Sequence, residues 1–497
     1  MSPATVTELR RSVALDELVE RVRPLAVLGD PTGVVVHDVV IDHRQASSGA
    51  LFCCLPGQHR DGHDFAGLAR AAGAVAFISE RSLGPLADGA VQLVVAPGQA
   101  RPATARAACA FFGDPSTALR SVGVTGTNGK TTTTYLLAAI FERHGWSTEV
   151  LGTLAGARTT PEAPDLQRLL AAARDAPRTA FVLEVSSHAL VQHRVDGIEL
   201  DAAVFTNLSQ DHLDFHENME AYFAAKASLF MPGRARVAVV NADDEYGRRL
   251  LERTPLEAVA YSLHDVRDLE VGLDASRFRL GGRVVHLPLG GLFNVRNALA
   301  AAACSRALGL EVDEIVDGLE HARAVPGRFE AVRAADGLVV LVDYAHTPAG
   351  LEELLQAARG AGGEGRLLVV FGCGGDRDRA KRPVMGAVAS RLADVVVVTT
   401  DNARSEEPAA IAGEVVAGVD GPAELVVELD RRTAIARALA AARPDDVVVV
   451  AGKGHETTQE LAHESIAFDD RVVVREELAR LGRADDEPAE RRRAAGS

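Results

Sequence analysis

A loop built to hold phosphate is the first chemistry the chain offers. Residues 121–145 read SVGVTGTNGKTTTTYLLAAIFERHG. The short β-branched run 122–125 predicts a buried strand, and the apolar spacing of Tyr135, Leu136, Leu137, Ile140 and Phe141 predicts a helix capped at Gly145. Between them, Gly126, Thr127, Asn128 and Gly129 form a turn in which backbone N–H groups could approach phosphate oxygens. Lys130 could reach the β/γ oxygens, Thr131 could ligate Mg²⁺, and Thr132 opens the helix beside them. Val124 stands where a G-x-x-x-x-G-K-[ST] motif has its first glycine, so the match is incomplete. Strand, glycine turn and helix in that order nevertheless predict an ATP or GTP site.

Further polar groups follow predicted strands. In TAFVLEVSSHALVQHRV a strand ends at Glu184, where a Mg²⁺-binding carboxylate would stand after a phosphate loop, with Ser186, Gln192 and Arg194 beyond it. In DAAVFTNLSQDHLDFH a strand opens into Asn207, Asp211, His212, Asp214 and His216, which could bind metal or merely coat a loop. Lys226 lies within an apolar helical pattern, either snorkelling to solvent or held at an active site. Asn294 and Asn297 begin another helix after Gly-Gly, and Arg328 follows Pro326-Gly327 at an expected hinge.

The elements that must position these groups are of α/β type. Short apolar runs separated by turns predict a small N-terminal α/β domain (1–100), with Asp42, Arg44 and residues 58–61 on its loops. A central domain (101–330) carries the phosphate loop on a parallel sheet. A C-terminal domain (331–482) alternates nearly continuous Val/Leu strands with helices, the pattern of a parallel sheet covered on both faces. Asp343, Tyr344, His346, Asp376, Arg377, Asp401, Asn402, Arg404, Lys453, His455 and Glu456 follow its strands, so one shared cleft is expected. FGCGGDRD lacks a G-x-G-x-x-G, which argues against a nicotinamide site. Residues 483–497 read as a disordered tail.

Composition narrows the function. The chain has 497 residues, 47% hydrophobic and 25% charged, and a net charge of −16 that disfavours nucleic acid as a partner. No run approaches the ~20 apolar residues of a membrane span. The N-terminus lacks the apolar core of a signal peptide, and the five cysteines show no paired framework. A cytoplasmic protein with reduced thiols, free of membrane contact, is expected.

Taken together, GVTGTNGKTTT, EVSSHAL, FTNLSQDHLDFH, AAKASLF, GLFNVRNALAA, VPGRFE, VDYAHTP, FGCGGDRDRAKRP, DNAR and AGKGHE resemble, in order, the motifs of the Mur ligases. These are ATP-dependent amide ligases of peptidoglycan precursor synthesis. The resemblance covers nearly the whole chain and is greatest to members that add the third residue of the stem peptide. It implies an N-terminal UDP-substrate domain, a central P-loop ATPase and a C-terminal Rossmann-like domain. It also implies a monomer that adds meso-diaminopimelate to UDP-N-acetylmuramoyl-L-alanyl-D-glutamate (the UDP-MurNAc-dipeptide) through an acyl phosphate, with ATP and Mg²⁺.

By the same resemblance Thr131 and Glu184 would hold one Mg²⁺, and His212 with a carbamylated Lys226 a second. Asn294, Arg328 and Asp343 would join the loop in binding ATP. The UDP-substrate would meet Arg44, Thr159, Thr160, Ser186, Gln192 and Arg194. The amino acid would meet Arg377, Asp401, Asn402, Ala403, Arg404, Gly452 and Glu456. Arg404 has a physical rationale, since a planar guanidinium can grip the distal carboxylate of diaminopimelate, which lysine lacks. The chain departs from the family pattern at His43, at GQHRDG (57–62), at Arg158 and at Ala403. Three of these fall on the UDP-substrate side and one on the amino-acid side. The alternatives are an amide ligase for another carboxylate and amine, or a precursor-binding homologue without turnover. Retention of Lys130, Glu184, His212 and Lys226 weighs against the last.

Overall fold

The computed structural model describes residues 11–57, 60–156, 158–213 and 215–484. Gln58, His59, Asp214 and the tail from residue 485 onward lie outside the described residues. Arg483, expected in the tail, is tied down instead: its Nε donates to Asp336 (2.7 Å) and its Nη1 to the Leu439 carbonyl (2.8 Å).

The runs of Val, Leu and Ile form one sheet in each third of the chain. The first contains β1 (Ala26–Leu28), β2 (Asp38–Val40), β3 (Ala50–Cys53), β4 (Ala76–Ser79) and β5 (Val91–Val94), in the order β1-β5-β4-β3-β2. Only β1 runs antiparallel to its neighbour. Helix α1 (Ala100–Phe112) buries Ala103, Ala107 and Phe111 in a cluster with Leu18, Leu51 and Ile78. This helix opens the expected central domain, and its apolar face packs with the first sheet and with Ala171 of the central unit.

The central sheet is wholly parallel. Its elements are β6 (Arg120–Thr125), α2 (Lys130–His144), β7 (Thr148–Leu151), α3 (Ala163–Asp175), β8 (Ala180–Glu184), β9 (Leu200–Phe205), α4 (Met219–Ala227), β10 (Ala235–Asn241) and β11 (Glu257–Tyr261). The strand order is β11-β10-β9-β6-β8-β7. The strand that feeds the phosphate loop therefore lies between β8, which ends at Glu184, and β9, which leads to Asn207. Gly145 ends α2 with φ +94° and returns its N–H to Glu142 and Phe141. An antiparallel meander follows, made of β12 (Val266–Val271), β13 (Ser276–Leu280) and β14 (Arg283–Leu287), and then helix α5 (Leu292–Ala307).

The C-terminal sheet comprises β15 (Glu330–Arg333), β16 (Val339–Asp343), α6 (Pro348–Ala361), β17 (Leu367–Phe371), α7 (Lys381–Leu392), β18 (Val395–Val398), β19 (Glu424–Val427), α8 (Arg431–Ala441), β20 (Val447–Ala451) and α9 (Asp470–Arg480). Its order is β15-β16-β20-β17-β18-β19, parallel except for β15. Separate apolar clusters cover its two faces, as the unbroken Val/Leu strands require. Among the described residues no helix is long and apolar enough to cross a membrane.

One ion pair lies fully inside this third unit. Arg431 and Asp470 are both 0% exposed; Nε and Nη2 of the arginine donate to the two carboxylate oxygens at 2.8 and 2.7 Å. Nη2 also donates to the Ala451 carbonyl (2.9 Å), which joins α8, α9 and the end of β20. Asp470→Ala should leave that guanidinium buried and unpaired, at a cost of roughly 3–5 kcal/mol. The urea midpoint should fall markedly, and an unchanged midpoint would show that the pair does not hold the unit together.

Candidate functional site

The loop from Gly126 to Gly129 leaves β6 and enters α2 with no room for side chains at its glycines. Gly129 has φ +84°, and a Cβ there would lie 2.3 Å from Asn297 Oδ1. The loop is shaped from outside by the end of β9. Thr127 N–H donates to the Asn207 carbonyl (2.9 Å) and Asn128 N–H to Asn207 Oδ1 (2.9 Å). Thr206 Oγ1 donates to the Asn128 carbonyl (2.6 Å). Lys130 curls over the loop, its Nζ donating to the carbonyls of Gly126 (2.9 Å) and Thr127 (2.8 Å).

Glu184 stands beside this loop, 1% exposed, at the end of β8. Its carboxylate accepts from Thr131 Oγ1 (3.0 Å), Thr153 N–H (2.9 Å) and Thr153 Oγ1 (3.1 Å). A Cβ at Gly152 would lie 2.3 Å from Glu184 Oε1, which accounts for a glycine there. Arg328 Nη2 donates to Thr131 Oγ1 (3.2 Å), its guanidinium lies 4.4 Å from the Tyr344 ring centroid, and its Nε is buried without a partner.

A cavity of about 210 Å³ opens over these groups. Among the residues predicted for ATP, 127–132, Arg328 and Asp343 line it. Gly126 supports it from below as the carbonyl acceptor. Asn294 is one layer back: its Nδ2 donates to the Gly290 carbonyl (2.8 Å) and its Oδ1 accepts from Asn297 Nδ2 (3.2 Å), while Asn297 reaches the cavity. The Asp343 carboxylate is held by the N–H groups of Phe329 and Ala345, both at 2.7 Å.

Among the described residues no group of three or more His, Cys, Asp or Glu side chains could enclose a metal. One carboxylate and one hydroxyl, at the mouth of a phosphate loop, suit Mg²⁺, which keeps several waters and takes phosphate oxygens to complete its shell. The residues present therefore fit that ion at Thr131 and Glu184. His212 lies at φ +56° and packs edge-on against His188 (4.8 Å) and Tyr222 (6.1 Å). Asp211 and His212 line the cavity, whereas His216 turns to Ser187 Oγ (2.9 Å) and does not join them there.

Lys226 does not snorkel. It is 1% exposed, its Nζ donates to the Gly126 carbonyl (2.8 Å), and it lies 4.8 Å from the Tyr222 ring centroid. Burial first, and then the nearby Lys130 charge, pushes its amine well below the usual lysine range. Two lysines thus converge on one carbonyl oxygen.

Thr159, Thr160, Ser186, Gln192 and Arg194 cluster around the end of β8, and Thr159 lines the cavity. Thr159 Oγ1 meets Thr153 Oγ1 (3.1 Å), Thr160 Oγ1 donates to the Glu184 carbonyl (2.7 Å), and Ser186 N–H donates to Thr160 Oγ1 (3.0 Å). Arg194 donates to the Thr160 carbonyl (3.0 Å) and to Gln192, and pairs with Glu162 (3.0 Å). Glu162 also receives Arg158 (2.6 Å) and Arg101 (3.3 Å). Arg44 is not with this group: it is exposed on the first unit, clamped by Asp42, whose carboxyl its hydrogen bonds hold down at about 2. The adjacent His43 ring stacks on Phe65 at 4.8 Å.

The expected single cleft of the third unit is divided. Asp343, Tyr344 and His346 line the cavity, whereas the 401–404 and 452–456 loops form an adjoining network. In that network Lys453 Nζ donates to Asn402 Oδ1 (3.0 Å) and Glu456 (2.9 Å), and Asn402 Nδ2 donates to Glu456 (2.8 Å). Gly452, at φ +113°, leaves no space for a Cβ beside Asp401 Oδ2. Arg404 Nε donates to Glu460 (2.9 Å) and its Nη1 to the Gly375 carbonyl (2.7 Å), with Ala403 buried behind it and Arg377 exposed nearby. Tyr344 and His455, 5.0 Å apart, join the two regions. Sequence reasoning missed Thr153 and Glu353, which also line the cavity. The Gly-Thr pair after β7 signals the first, and nothing distinguishes the second from a solvated helix residue.

Family models match along the chain: "Mur ligase family, catalytic domain" at 35–127, "Mur ligase middle domain" at 124–305 and "Mur ligase, glutamate ligase domain" at 327–454. A UDP-N-acetylmuramoyl-L-alanyl-D-glutamate–2,6-diaminopimelate ligase of Syntrophomonas wolfei is 42% identical over 93% of this chain and 99% of its own length. One of the same name from Thermosynechococcus vestitus is 45% identical over 87% and 91%. A solved structure bearing that name superposes with a TM-score of 0.64 at 33% identity, covering 94% of this chain and 99% of the other. On this likeness, extending through all three sheets, the chain belongs to the Mur ligase family.

Proposed function

We propose that the protein is an ATP-dependent, ADP-forming ligase that joins meso-diaminopimelate to the γ-carboxyl of UDP-N-acetylmuramoyl-L-alanyl-D-glutamate. The observation that carries this reading is the placement of Glu184 between two groups. Its carboxylate accepts from Thr131 beside the phosphate loop and its backbone carbonyl from Thr160, in a cluster with Ser186 and Arg194 whose neighbour Thr159 lines the same cavity. A nucleotide γ-phosphate and a substrate carboxylate would meet there, and the relatives' shared name supplies the substrate pair.

In this reading residues 1–100 take the UDP-sugar, 101–330 the ATP and 331–482 the amino acid. The substrate carboxylate attacks the γ-phosphorus and ADP leaves; the incoming amine then attacks the acyl phosphate carbon and phosphate leaves. Lys130 and Arg328 offset charge on the transferring phosphoryl group. Thr131 and Glu184 would hold Mg²⁺, which would supply positive charge to offset that of the phosphates. His212 and Lys226 would serve a second ion, with Lys226 carbamylated: its neutral amine adds to CO₂ with loss of a proton, and an awkward buried cation becomes an anionic ligand. The burial of Lys226 supports this role. Arg377, Arg404, Asn402 and Glu456 are assigned to the amino acid, with Asp401, Ala403 and Gly452 shaping the loops. Soluble, nucleotide-linked substrates favour a cytoplasmic enzyme, and the reading takes it as a monomer. Arg158, His43 and Ala403 favour one second reading, a paralogue for another carboxylate and amine.

Mass spectrometry of ATP-dependent product with UDP-N-acetylmuramoyl-L-Ala-D-Glu, offered meso-diaminopimelate or L-lysine, separates these readings. Product with diaminopimelate alone is expected; product with neither amine would favour the paralogue. Lys226→Ala should cost about 10²–10³ in turnover, the size of one lost electrostatic stabiliser, while the fold by circular dichroism is kept. Added bicarbonate should raise wild-type activity in CO₂-depleted buffer. Near wild-type turnover by Lys226→Ala would refute the ligand role.

A further inference from the structure

Beneath the loops assigned to the amino acid lies a cation that the proposed reaction does not use. Arg382, in α7, is 0% exposed. Its Nη1 donates to Glu406 Oε2 (2.9 Å) and Glu414 Oε2 (2.8 Å), and its Nη2 to Glu406 Oε1 (2.8 Å) and the Gly374 carbonyl (3.1 Å). Hydrogen bonding from Arg382 holds the Glu406 carboxyl down at about 2, so the pair stays charged at any working pH.

Glu406 is also a bridge. Its Oε1 accepts the N–H of Asp376 (2.7 Å), a residue held in the left-handed region at φ +53°. Further bonds lace the loops 374–377 and 401–406 together. Ser405 Oγ donates to Asp376 Oδ1 (2.6 Å), Arg404 Nη1 to the Gly375 carbonyl (2.7 Å), and Gly375 N–H to the Asn402 carbonyl (2.8 Å). The seam has no slack: a Cβ at Gly375 would lie 1.9 Å from the Ala403 carbonyl oxygen. Arg377 and Arg404, the two guanidiniums assigned to the amino acid, both project from this seam.

We propose that Arg382 is a positioning residue for the amino-acid site, fixing through Glu406 and the Gly374 carbonyl the spacing between Arg377 and Arg404. Its planar fork holds both Glu406 oxygens in one orientation, which an apolar side chain of equal volume would not do. Fully buried, it acts on the substrate only through the loops. The inference rests on the function proposed above and names the part of that site that selects a dicarboxylic amine.

The test compares R382M and the milder E406Q, which keeps an oxygen for the Asp376 N–H, with wild type. In R382M the KM for meso-diaminopimelate should rise about tenfold, the worth of one lost charge-assisted bond. KM for ATP and kcat at saturating amine should stay near wild type. E406Q should shift the same constant in the same direction by a smaller factor, and amide hydrogen exchange in 374–377 and 401–406 should quicken in both. An unchanged KM for the amine in a folded variant, or an equal rise in KM for ATP, would overturn the proposal. If R382M does not fold, E406Q decides. If wild type forms no product with diaminopimelate, the functional reading has failed, and the exchange rates still decide: faster exchange supports the seam and unchanged exchange refutes it.

Discussion

A carboxylate that is almost wholly withdrawn from water is the constraint around which the central unit is arranged. Glu184 is kept buried by two threonine hydroxyls and a backbone N–H, and without them its burial would be costly. Those donors come from α2 and from the turn after β7, while the carboxylate comes from β8. The order β9-β6-β8-β7 is what brings the three together, because β6 delivers Thr131 beside β8 and β7 delivers Thr153 from the outer edge. The parallel register pairs Glu184 with Val124, so the acid stands level with the start of the phosphate loop. The glycine at 152 is a consequence of that close approach, whereas those at 126 and 129 make room for Thr206 and Asn297.

The third unit meets this centre through Arg328. The residue lies on the connection between the units, reaches back to Thr131 and covers Tyr344. The crossing is tight, since a Cβ at Gly327 would lie 2.1 Å from the Gly454 carbonyl carbon. The hinge and the AGKGHE loop are therefore in direct contact, and the cavity is walled by residues of both units. Positioning of the two reacting partners thus depends on backbone proximity at small residues as much as on side-chain bonds.

Much of this was legible from residue types. The strand, turn and helix of 120–144 carry their own punctuation, and the unbroken Val/Leu strands of the last third fixed a covered parallel sheet. What was not legible involves distances across the chain. Asn294 and Asn297 lie three residues apart on one helix face, and only the packing of α5 decides that Asn297 meets the cavity. Lys226 could have snorkelled; the depth of α4 beneath the loop settles its burial. Helix α1 follows the first sheet in sequence and packs on it, a choice made by which apolar face is left uncovered. Thr153 is marked only by the Gly-Thr pair after β7 and Glu353 by nothing local, and their place at the cavity comes from strand order and helix phase. Arg44 matches a motif but lies outside the cavity, on its own unit.

The central claim is that the buried Glu184 carboxylate, with Thr131, is kept for a divalent ion brought with the nucleotide. Electron paramagnetic resonance of Mn²⁺, titrated into the protein with and without a non-hydrolysable ATP analogue, tests it most directly. Wild type should take up Mn²⁺ tightly only with the analogue present, and Glu184→Gln should lose that uptake while still binding the analogue. Equal Mn²⁺ uptake by Glu184→Gln would contradict the account and leave Glu184 as a buried acid that serves only the packing of its three donors.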